Sequence, residues 1–435
     1  FIGYGSGVQV SSSDVDHLRH TTVTEPADLE GQDGSAYFSL GEGEDKSSYA
    51  VTAARYAGGY IGYMNIGSAA SVGKGLGVLG DNLSLNNIAG ALQVVASTIE
   101  RSDAIGAANG FAVLGSDTVA GDSGDEGHAG GFAGKISGGH IQDSNCRNFS
   151  YVIGQVAAGG YAGEVEPGNV ADVLDDVSTD EGGLLHGLIG TEGLASVLQA
   201  FVPSIRNSET TCIPCGGAVR AQASSDATTL RGMAGGYVGH NVGGQIWGNS
   251  SKDWKDEDHD PQLDEYTGPQ REAAAVRIRS VYGAEYAGGF TGLMEAGDTA
   301  STGRLGLLWD LVGVDNLLGA LGVAYPTEEN TAVYGPLAKL DVTTWNAWVE
   351  AVGKYGGYGA SLATHNFAET EEGQAQLDEL LADYLYGMSV VAGRSQLAET
   401  GQANAMKGGS SGGYVGAMVS GTITNGQAHD VKLVQ

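Results

Sequence analysis

The chain has 435 residues, of which 73 are glycine, 8 proline and 3 cysteine, and its formal net charge is -31 at pH 7. Such a negative surface repels nucleic-acid phosphates and anionic lipids, and no apolar run reaches the roughly 18 residues of a membrane span, so we expect neither nucleic-acid binding nor membrane insertion in this segment. Glycine without a three-residue period excludes collagen and indicates recurring tight turns.

The chain opens on Phe1-Ile2-Gly3, and this pattern recurs as the second half of a six-residue phrase, small-Gly-Gly-aromatic-x-Gly. Two glycines permit a tight turn, and the residues after them alternate between the faces of a short strand. Complete copies of the phrase begin at Ala57, Ala129, Ala158, Ala234, Ala287 and Ser411. We therefore expect a column of stacked rings made of Phe1, Tyr60, Phe132, Tyr161, Tyr237, Phe290 and Tyr414.

The opening triplet is a copy of the phrase that lacks its leading small-Gly-Gly residues. We therefore expect this chain to be a piece of a longer protein. We also expect Phe1 to stack on the aromatic ring of the next copy.

Further strands flank the phrase. A second strand follows some copies after another glycine turn, at residues 7–12, 138–144, 243–250 and 421–425. A third often precedes the phrase, at residues 49–53, 151–156 and 276–281. Three strands separated by glycine turns form one coil of a parallel β-solenoid. The sequence therefore predicts a mainly β fold, a right-handed parallel β-solenoid (β-helix) with α-helical excursions.

Alternate copies of the phrase lead into leucine-rich segments with near-helical spacing. They predict helical excursions at about 76–103, 184–206 and 305–325, with Pro203 and Pro326 ending the second and third. The apolar faces of these helices would pack on the solenoid or form a groove for a partner helix or peptide. The chain is then one elongated array with units of about 1–128, 129–233, 234–410 and a partial unit, 411–435.

Two short stretches between the copies have possible site chemistry. Cys212 and Cys215 form a CxxC pair, for which we predict a local disulfide or two unreactive thiols in a turn, with a redox or half-metal site as the alternative, and Cys146 is left single. The carboxylates of the polar connection near residue 255 are candidates for a weak calcium site, or else a solvated linker. They are Asp253, Asp256, Asp258 and Asp260.

A larger inserted subdomain is predicted at about 326–407. It contains one helix at residues 343–352, with Thr343 or Thr344 as N-cap, and a second at 374–386. Its aromatic residues form a candidate glycan-binding platform because pyranose faces pack on aromatic rings, whereas aromatics at helical spacing are also typical of a core. The platform would consist of Trp345, Trp348, Tyr355 and Tyr358.

The Gly-Gly-aromatic and Gly-Gly-x-Ile runs resemble the GLUG motif of large bacterial surface proteins, including adhesins. The similarity is greatest at residues 235–250 and 130–156, and it departs from the motif by placing Tyr or Phe where Leu is usual. The resemblance implies an extracellular, bacterial cell-surface location for a repeat solenoid. It implies no catalytic residue.

We expect no enzymatic activity. The strand positions assigned from the pattern carry no carboxylate ladder, and His128, His140 and His240 are predicted to be turn or surface residues; the assigned positions are Gln9, Gln142, Gln245, Thr422 and Thr424. No cofactor is predicted apart from possible calcium. The favoured function is a secreted structural or adhesive segment whose partner is a host or microbial surface glycan or protein. The alternatives are a fibre or stalk of identical copies joined end to end, and a polysaccharide-active β-helix enzyme.

Overall fold

The fold was analysed in a computed structural model that describes residues 1–19, 50–66, 96–115, 127–168, 202–214, 216–222, 232–248, 274–297, 325–336, 340–355, 363, 365–382, 387–395, 406–407 and 409–435. These residues are mainly β, with four parallel sheets and two α-helices. We call the sheets A, B, C and D.

Sheets A, B and D each contain one strand from successive parts of the chain. In spatial order, sheet A is β1 (Ile2–Ser6), β6 (Ile61–Asn65), β11 (Ala133–Ser137), β15 (Ala162–Glu166), β20 (Val238–Val242), β25 (Thr291–Glu295) and β32 (Val415–Met418). Sheet B is β2 (Gln9–Ser11), β7 (Thr98–Glu100), β12 (His140–Gln142), β16 (Ser204–Arg206), β21 (Gln245–Trp247), β26 (Thr327–Glu329) and β33 (Thr422–Thr424). Sheet D is β5 (Tyr56–Gly58), β10 (His128–Gly130), β14 (Ala157–Gly159), β19 (Met233–Gly235), β24 (Tyr286–Gly288) and β31 (Ser410–Gly412).

Sheet C is wider because its longest strand, β13 (Cys146–Gly154), pairs with two rows of shorter strands. One row is β3 (Val15–Leu18), β8 (Ala104–Gly106), β17 (Thr210–Cys212), β22 (Ala274–Arg277), β27 (Thr331–Tyr334) and β34 (Gln427–His429). The other row is β4 (Val51–Ala53), β9 (Phe111–Gly115), β18 (Ala218–Ala221), β23 (Ser280–Gly283), β28 (Met388–Ala392) and β35 (Val431–Val434). A separate antiparallel pair joins β29 (Arg394–Ser395) to β30 (Met406–Lys407).

The chain passes through the sheets in the repeated order D, A, B, C, and we call each run a passage. The described strands make seven passages, the first of which begins in sheet A; the others begin at β5, β10, β14, β19, β24 and β31. Equivalent residues of neighbouring passages lie opposite each other, as Ala129 does with Ala57 and Ala158. The predicted unit boundaries fall within β10, β19 and β31, so each of the three complete predicted units contains two passages and the partial unit contains one.

The rings of the phrase form one column through the shared core. From Tyr60 to Tyr414, consecutive centroids lie 4.7 to 5.2 Å apart and the rings are within 7° of parallel. Phe1 contacts the ring of the next copy, Tyr60, as predicted, with centroids 5.3 Å apart, but the two rings are tilted by 41° and do not stack face to face. Phe1 is 70% exposed, and less packing therefore fixes its ring than fixes the buried rings.

Glycine is required where sheet D turns into sheet A. A Cβ atom on Gly159 would lie 1.9 Å from the carbonyl oxygen of Ala162, and one on Gly130 would lie 1.9 Å from that of Ala133. A backbone atom at that distance cannot give way, so the second residue of the phrase has no room for any side chain.

Two predictions about the excursions are wrong in the described residues. The second strand of the repeat was predicted after some copies of the phrase, but all seven passages have a strand in sheet B. Residues 98–100 and 204–206 were predicted to be helical, but they form β7 and β16. Pro203 and Pro326 come directly before strands, where their carbonyl oxygens accept hydrogen bonds from Gln245 and Thr422. The leucine positions of the three excursions lie outside the described residues.

The insert is smaller than predicted because its flanks belong to the sheets: residues 327–334 form β26 and β27, and Met388–Ala392 is β28. Between them lie α1 (Val342–Tyr355) and α2 (Glu371–Leu380). Asp341, rather than Thr343 or Thr344, caps α1 by accepting a 2.8 Å hydrogen bond from the Thr344 amide. The second helix starts earlier than predicted because Thr370 caps it.

Candidate functional site

Charged side chains cluster on adjacent strands of sheets A and D. The residue that directly follows the last glycine of the phrase is Lys135 on β11, Glu164 on β15 and His240 on β20. The strand register places Lys135 opposite Glu164, and Glu164 opposite His240. We call this cluster, which spans the third to sixth passages, the ionic network; it consists of His128, Lys135, Glu164, Glu166, His240 and Glu295.

Glu164 is the centre of the ionic network. Its Oε1 lies 2.9 Å from the Lys135 Nζ atom, and its Oε2 lies 3.0 Å from the His240 Nδ1 atom and 3.5 Å from the His128 Nδ1 atom. The Lys135 Nζ atom also lies 3.1 Å from Glu166. The His240 Nε2 atom lies 2.9 Å from Glu295. The imidazole of His240 therefore links a carboxylate of the fourth passage to one of the sixth.

The ionic network is largely buried, and the attraction between its opposite charges is therefore stronger than it would be in water. The side chains of Lys135 and Glu164 are 5% and 8% exposed. Burial alone would raise the pKa of Glu164, but His128, Lys135 and His240 hold that pKa well below its usual value. Burial and the neighbouring Glu164 charge raise the pKa of Glu166. Burial would lower the pKa of His240, but its bonds to Glu164 and Glu295 raise it to about 9.

This arrangement supplies ion pairs between passages rather than between neighbours in sequence. The carboxylates of Glu164, Glu166 and Glu295 are each bound to Lys135 or His240. Charge-assisted hydrogen bonds of this kind require specific positions of both partners. The ionic network can therefore fix the register of four consecutive passages.

The prediction that His128 and His240 are turn or surface residues is wrong, because both lie in strands and His128 is 1% exposed. His140 is half-buried in β12, with its Nδ1 atom 2.8 Å from the Ser204 hydroxyl. The strand positions assigned from the pattern did not include the carboxylates of this network, of which Glu164 in the fourth passage and Glu295 in the sixth both contact His240. A comparison of the residue six positions after the start of each phrase would have found Lys135, Glu164 and His240 in consecutive copies.

Replacing His240 by glutamine should remove one component of the pH dependence of stability. The folded pKa of about 9 lies above the unfolded value of 6.5, so this component is fully present below pH 6.5 and lost as the pH rises through about 9. The difference corresponds to about 3 kcal/mol. Urea unfolding of both proteins from pH 5 to 10 should give curves that converge at high pH; parallel curves would contradict this role for His240.

The glycan platform is wrong for its two tryptophans. Trp345 is 0% and Trp348 1% exposed, and their ring centroids lie 4.9 Å apart in a core formed by α1, α2 and the outer side of sheet C. The Trp345 indole N–H donates a 2.9 Å hydrogen bond to the His365 carbonyl oxygen. Neither ring is available to a sugar. The side chain of Tyr355 and the whole of Tyr358 lie outside the described residues.

The structure does not support the predicted disulfide, because Cys212 is a free thiol and Cys215 lies outside the described residues. Burial raises the pKa of Cys212 to about 11 and that of the free thiol of Cys146 to about 12, so neither is poised as a nucleophile. The calcium candidates Asp253, Asp256, Asp258 and Asp260 lie outside the described residues. Within the described ranges, no group of three or more His, Cys, Asp or Glu side chains has the arrangement of a metal site.

No family model, curated protein or solved structure matches the chain. Among the helices of the described ranges, none is both long and apolar enough to cross a membrane.

Proposed function

We propose that this chain is a non-catalytic, extracellular segment of a large bacterial surface protein, in which a right-handed parallel β-solenoid presents long connections for adhesion. Seven passages in the same sheet order support the solenoid. Right-handed connection between parallel strands of one sheet is the strong general preference. The cell-surface location rests on the resemblance of the Gly-Gly repeats to GLUG motifs.

One observation carries the adhesive role: the long connections between sheets A and B occur only in alternate passages. The chain leaves sheet A after Asn65, Glu166 and Glu295 and enters sheet B at Thr98, Ser204 and Thr327, whereas residues 138–139 or 243–244 suffice in the third and fifth passages. The scaffold thus starts three long connections from equivalent points, two strand spacings or about 9.6 Å apart. Their ligand would be a surface glycan or protein.

The dimensions of the sheets favour a scaffold that presents the long connections over a stalk that only adds length. Sheet A has seven strands, and its six spacings of about 4.8 Å give a height of about 29 Å. A stalk would use 435 residues to span a distance of only this size, which is a poor use of chain length for a spacer. The non-catalytic role is supported by the ionic network, in which the carboxylates are held in ion pairs.

Self-association is a second candidate because exposed apolar side chains gather at the two ends of the sheets. Phe1 and Tyr4 are 70% and 60% exposed on the first passage. On the seventh passage the exposed apolar side chains are Met418, Val419, Val431, Leu433 and Val434. Edge strands that have no second partner among the described residues, beside such side chains, favour end-to-end addition of identical copies.

The adhesive role is tested by replacing the connections singly and together. Residues 66–97, 167–203 and 296–326 are exchanged for the Gly-Gly turn of residues 138–139, and binding to a glycan array and to immobilised extracellular-matrix proteins is measured. We expect binding to fall at least about tenfold, a change of 1.4 kcal/mol, in one or more variants. A control variant shortens residues 248–273, which join sheets B and C at another corner, and should still bind.

Circular dichroism would establish that each variant keeps its strands. Unchanged binding by the triple variant, or the failure of the parent chain to bind any tested surface, would contradict the adhesive role. Sedimentation velocity on the same preparations separates the second candidate, which requires the parent chain to form larger species as its concentration rises.

A further inference from the structure

A single carboxyl group interrupts the apolar interior of sheet B. The central residue of each strand points inward, and the register aligns Val10, Ile99, Ile141, Ile205, Ile246, Glu328 and Ile423. Glu328 in the sixth passage is 0% exposed. A lone acid in a row of isoleucines is costly to bury unless it is hydrogen-bonded, and it favours the neutral form there.

Polar residues from three passages surround this carboxyl group. Its Oε1 atom accepts a 2.5 Å hydrogen bond from the Thr291 hydroxyl and a 3.2 Å bond from the Asn241 amide. The hydroxyl of Tyr414, from the seventh passage, is hydrogen-bonded to Thr331. We call this set the Glu328 cluster; it consists of Asn241, Thr291, Glu328, Thr331 and Tyr414.

Among the described residues, the neighbours of the Glu328 cluster provide no charge to balance an ionised carboxylate. Asn241 on β20, Thr291 on β25 and Thr331 on β27 are neutral, and the titratable groups facing Glu328 are the phenols of Tyr237 and Tyr414. Burial raises the pKa of Glu328, opposed by hydrogen bonds from Thr291, Asn241 and Tyr414. In Tyr237 and Tyr414, burial raises the pKa well above 10.0, so these phenols stay neutral beside it.

The seventh passage contacts this region directly. Its strands β31 to β35 each pair with a strand of the sixth passage. The ring of Tyr414 stacks on Phe290 of the sixth passage, with centroids 5.2 Å apart. Its hydroxyl group is hydrogen-bonded to Thr331, which also belongs to the sixth passage. A change at Glu328 therefore acts directly on the contact between the last two described passages.

We propose that Glu328 is a protonation-controlled lock: the neutral acid holds the seventh passage onto the sixth, and ionisation releases it. The ionic network, in contrast, joins the third to sixth passages through charges that are paired. The two clusters therefore respond to pH in different parts of the molecule.

The sign of the response follows from the raised pKa of Glu328. Above the unfolded value of 4.5 the detached state loses its proton while the attached state keeps it, so attachment weakens as the pH rises. The opening equilibrium should increase about tenfold for each pH unit until the folded pKa is reached. Below pH 4.5 this effect is absent.

The test is hydrogen exchange of residues 409–435 from pH 4 to 8, corrected for the intrinsic pH dependence of amide exchange, with residues 98–115, which lie outside the ionic network, as internal reference. In the parent chain, protection of residues 409–435 relative to the reference should fall as the pH rises. E328Q keeps an oxygen acceptor for Thr291 and Asn241 but has no titration, so its relative protection should not change with pH. The same decline in E328Q, or no decline in the parent chain, would overturn the lock.

A second variant keeps the inference testable if E328Q does not fold. Thr291→Val removes a hydrogen bond that lowers the pKa of Glu328, so the decline in protection should still begin near pH 4.5 but continue to a higher pH than in the parent chain. An unshifted profile in T291V would show that Glu328 does not control the seventh passage.

Discussion

Replacing Lys135 by methionine is expected to lower the free energy of unfolding by about 3–5 kcal/mol, because Glu166 loses its lysine partner and Glu164 keeps only its histidine partners. The Lys135 ammonium group is the shared partner of Glu164 and Glu166, and its side chain is 5% exposed. Urea unfolding at pH 6 would measure the loss. At this pH Glu164 is ionised and His240 is protonated in the folded chain.

The matched control is Lys432→Met, in an exposed position of β35, with an expected effect within about 0.5 kcal/mol. Adding Glu164→Gln to Lys135→Met should restore part of the lost stability, since it removes one of the two buried carboxylates that lost the lysine. Equal midpoints for the two lysine variants would show that the ionic network contributes little to stability.

The second large effect is expected for Tyr161→Ala, which should cost about 3–5 kcal/mol through lost burial and the cavity that remains. Tyr161 is 0% exposed and lies between Phe132 and Tyr237, with both ring centroids at 4.9 Å. Its hydroxyl donates a 2.8 Å hydrogen bond to the Ser144 carbonyl oxygen. Urea unfolding monitored by near-ultraviolet circular dichroism would follow the loss.

One further variant separates the contribution of the Tyr161 ring from that of its hydroxyl group, and a second is a control for burial of the ring. Tyr161→Phe keeps the ring and should cost about 1–3 kcal/mol, because a buried carbonyl oxygen loses its donor. Tyr4→Ala removes a ring that is 60% exposed at the end of the sheets and should cost much less. If Tyr161→Ala were no more destabilised than Tyr4→Ala, the ring column would not be the support of the core.

The ring column could be predicted because its chemistry repeats in the sequence. Each ring follows two glycines whose conformational role is local, so copies from Ala57 to Ser411 could be aligned without a structure. Backbone pairing then sets equivalent residues opposite each other, as with Ala158 and Ala234. Phe1 departs from the pattern because its ring is 70% exposed, so less packing fixes its orientation.

The ionic network does not repeat, and this is why the motif did not reveal it. Tyr63, Lys135, Glu164, His240 and Leu293 occupy one register position, so the repeat preserves the place but not the residue type. Their charge balance arises only when successive copies are placed side by side. A search for complementary charges at equivalent repeat positions, rather than for identical residues, would detect such networks.

For the aromatic residues of the insert, the sequence predicted the local structure correctly but not the environment of the side chains. The spacing of Trp345 and Trp348 correctly indicated a helix, since both lie in α1. Spacing alone could not decide whether their shared face met solvent, a sugar or a sheet. Tyr282 and Val391 on the outer side of sheet C supply the apolar surface that covers these rings, and both are distant in sequence.

The two-passage period makes the chain modular in an evolutionary sense. Strands β10 and β19 begin equivalent passages, and β14 pairs with both in the same register, Ala158 lying opposite Ala129 and Ala234. Duplication in tandem of the stretch from His128 to Gly232 would add two passages whose boundary strands meet the same kinds of neighbours. Lineages could therefore lengthen this protein in whole pairs of passages by unequal recombination, while insertion of a single passage would disturb the alternation of long and short connections.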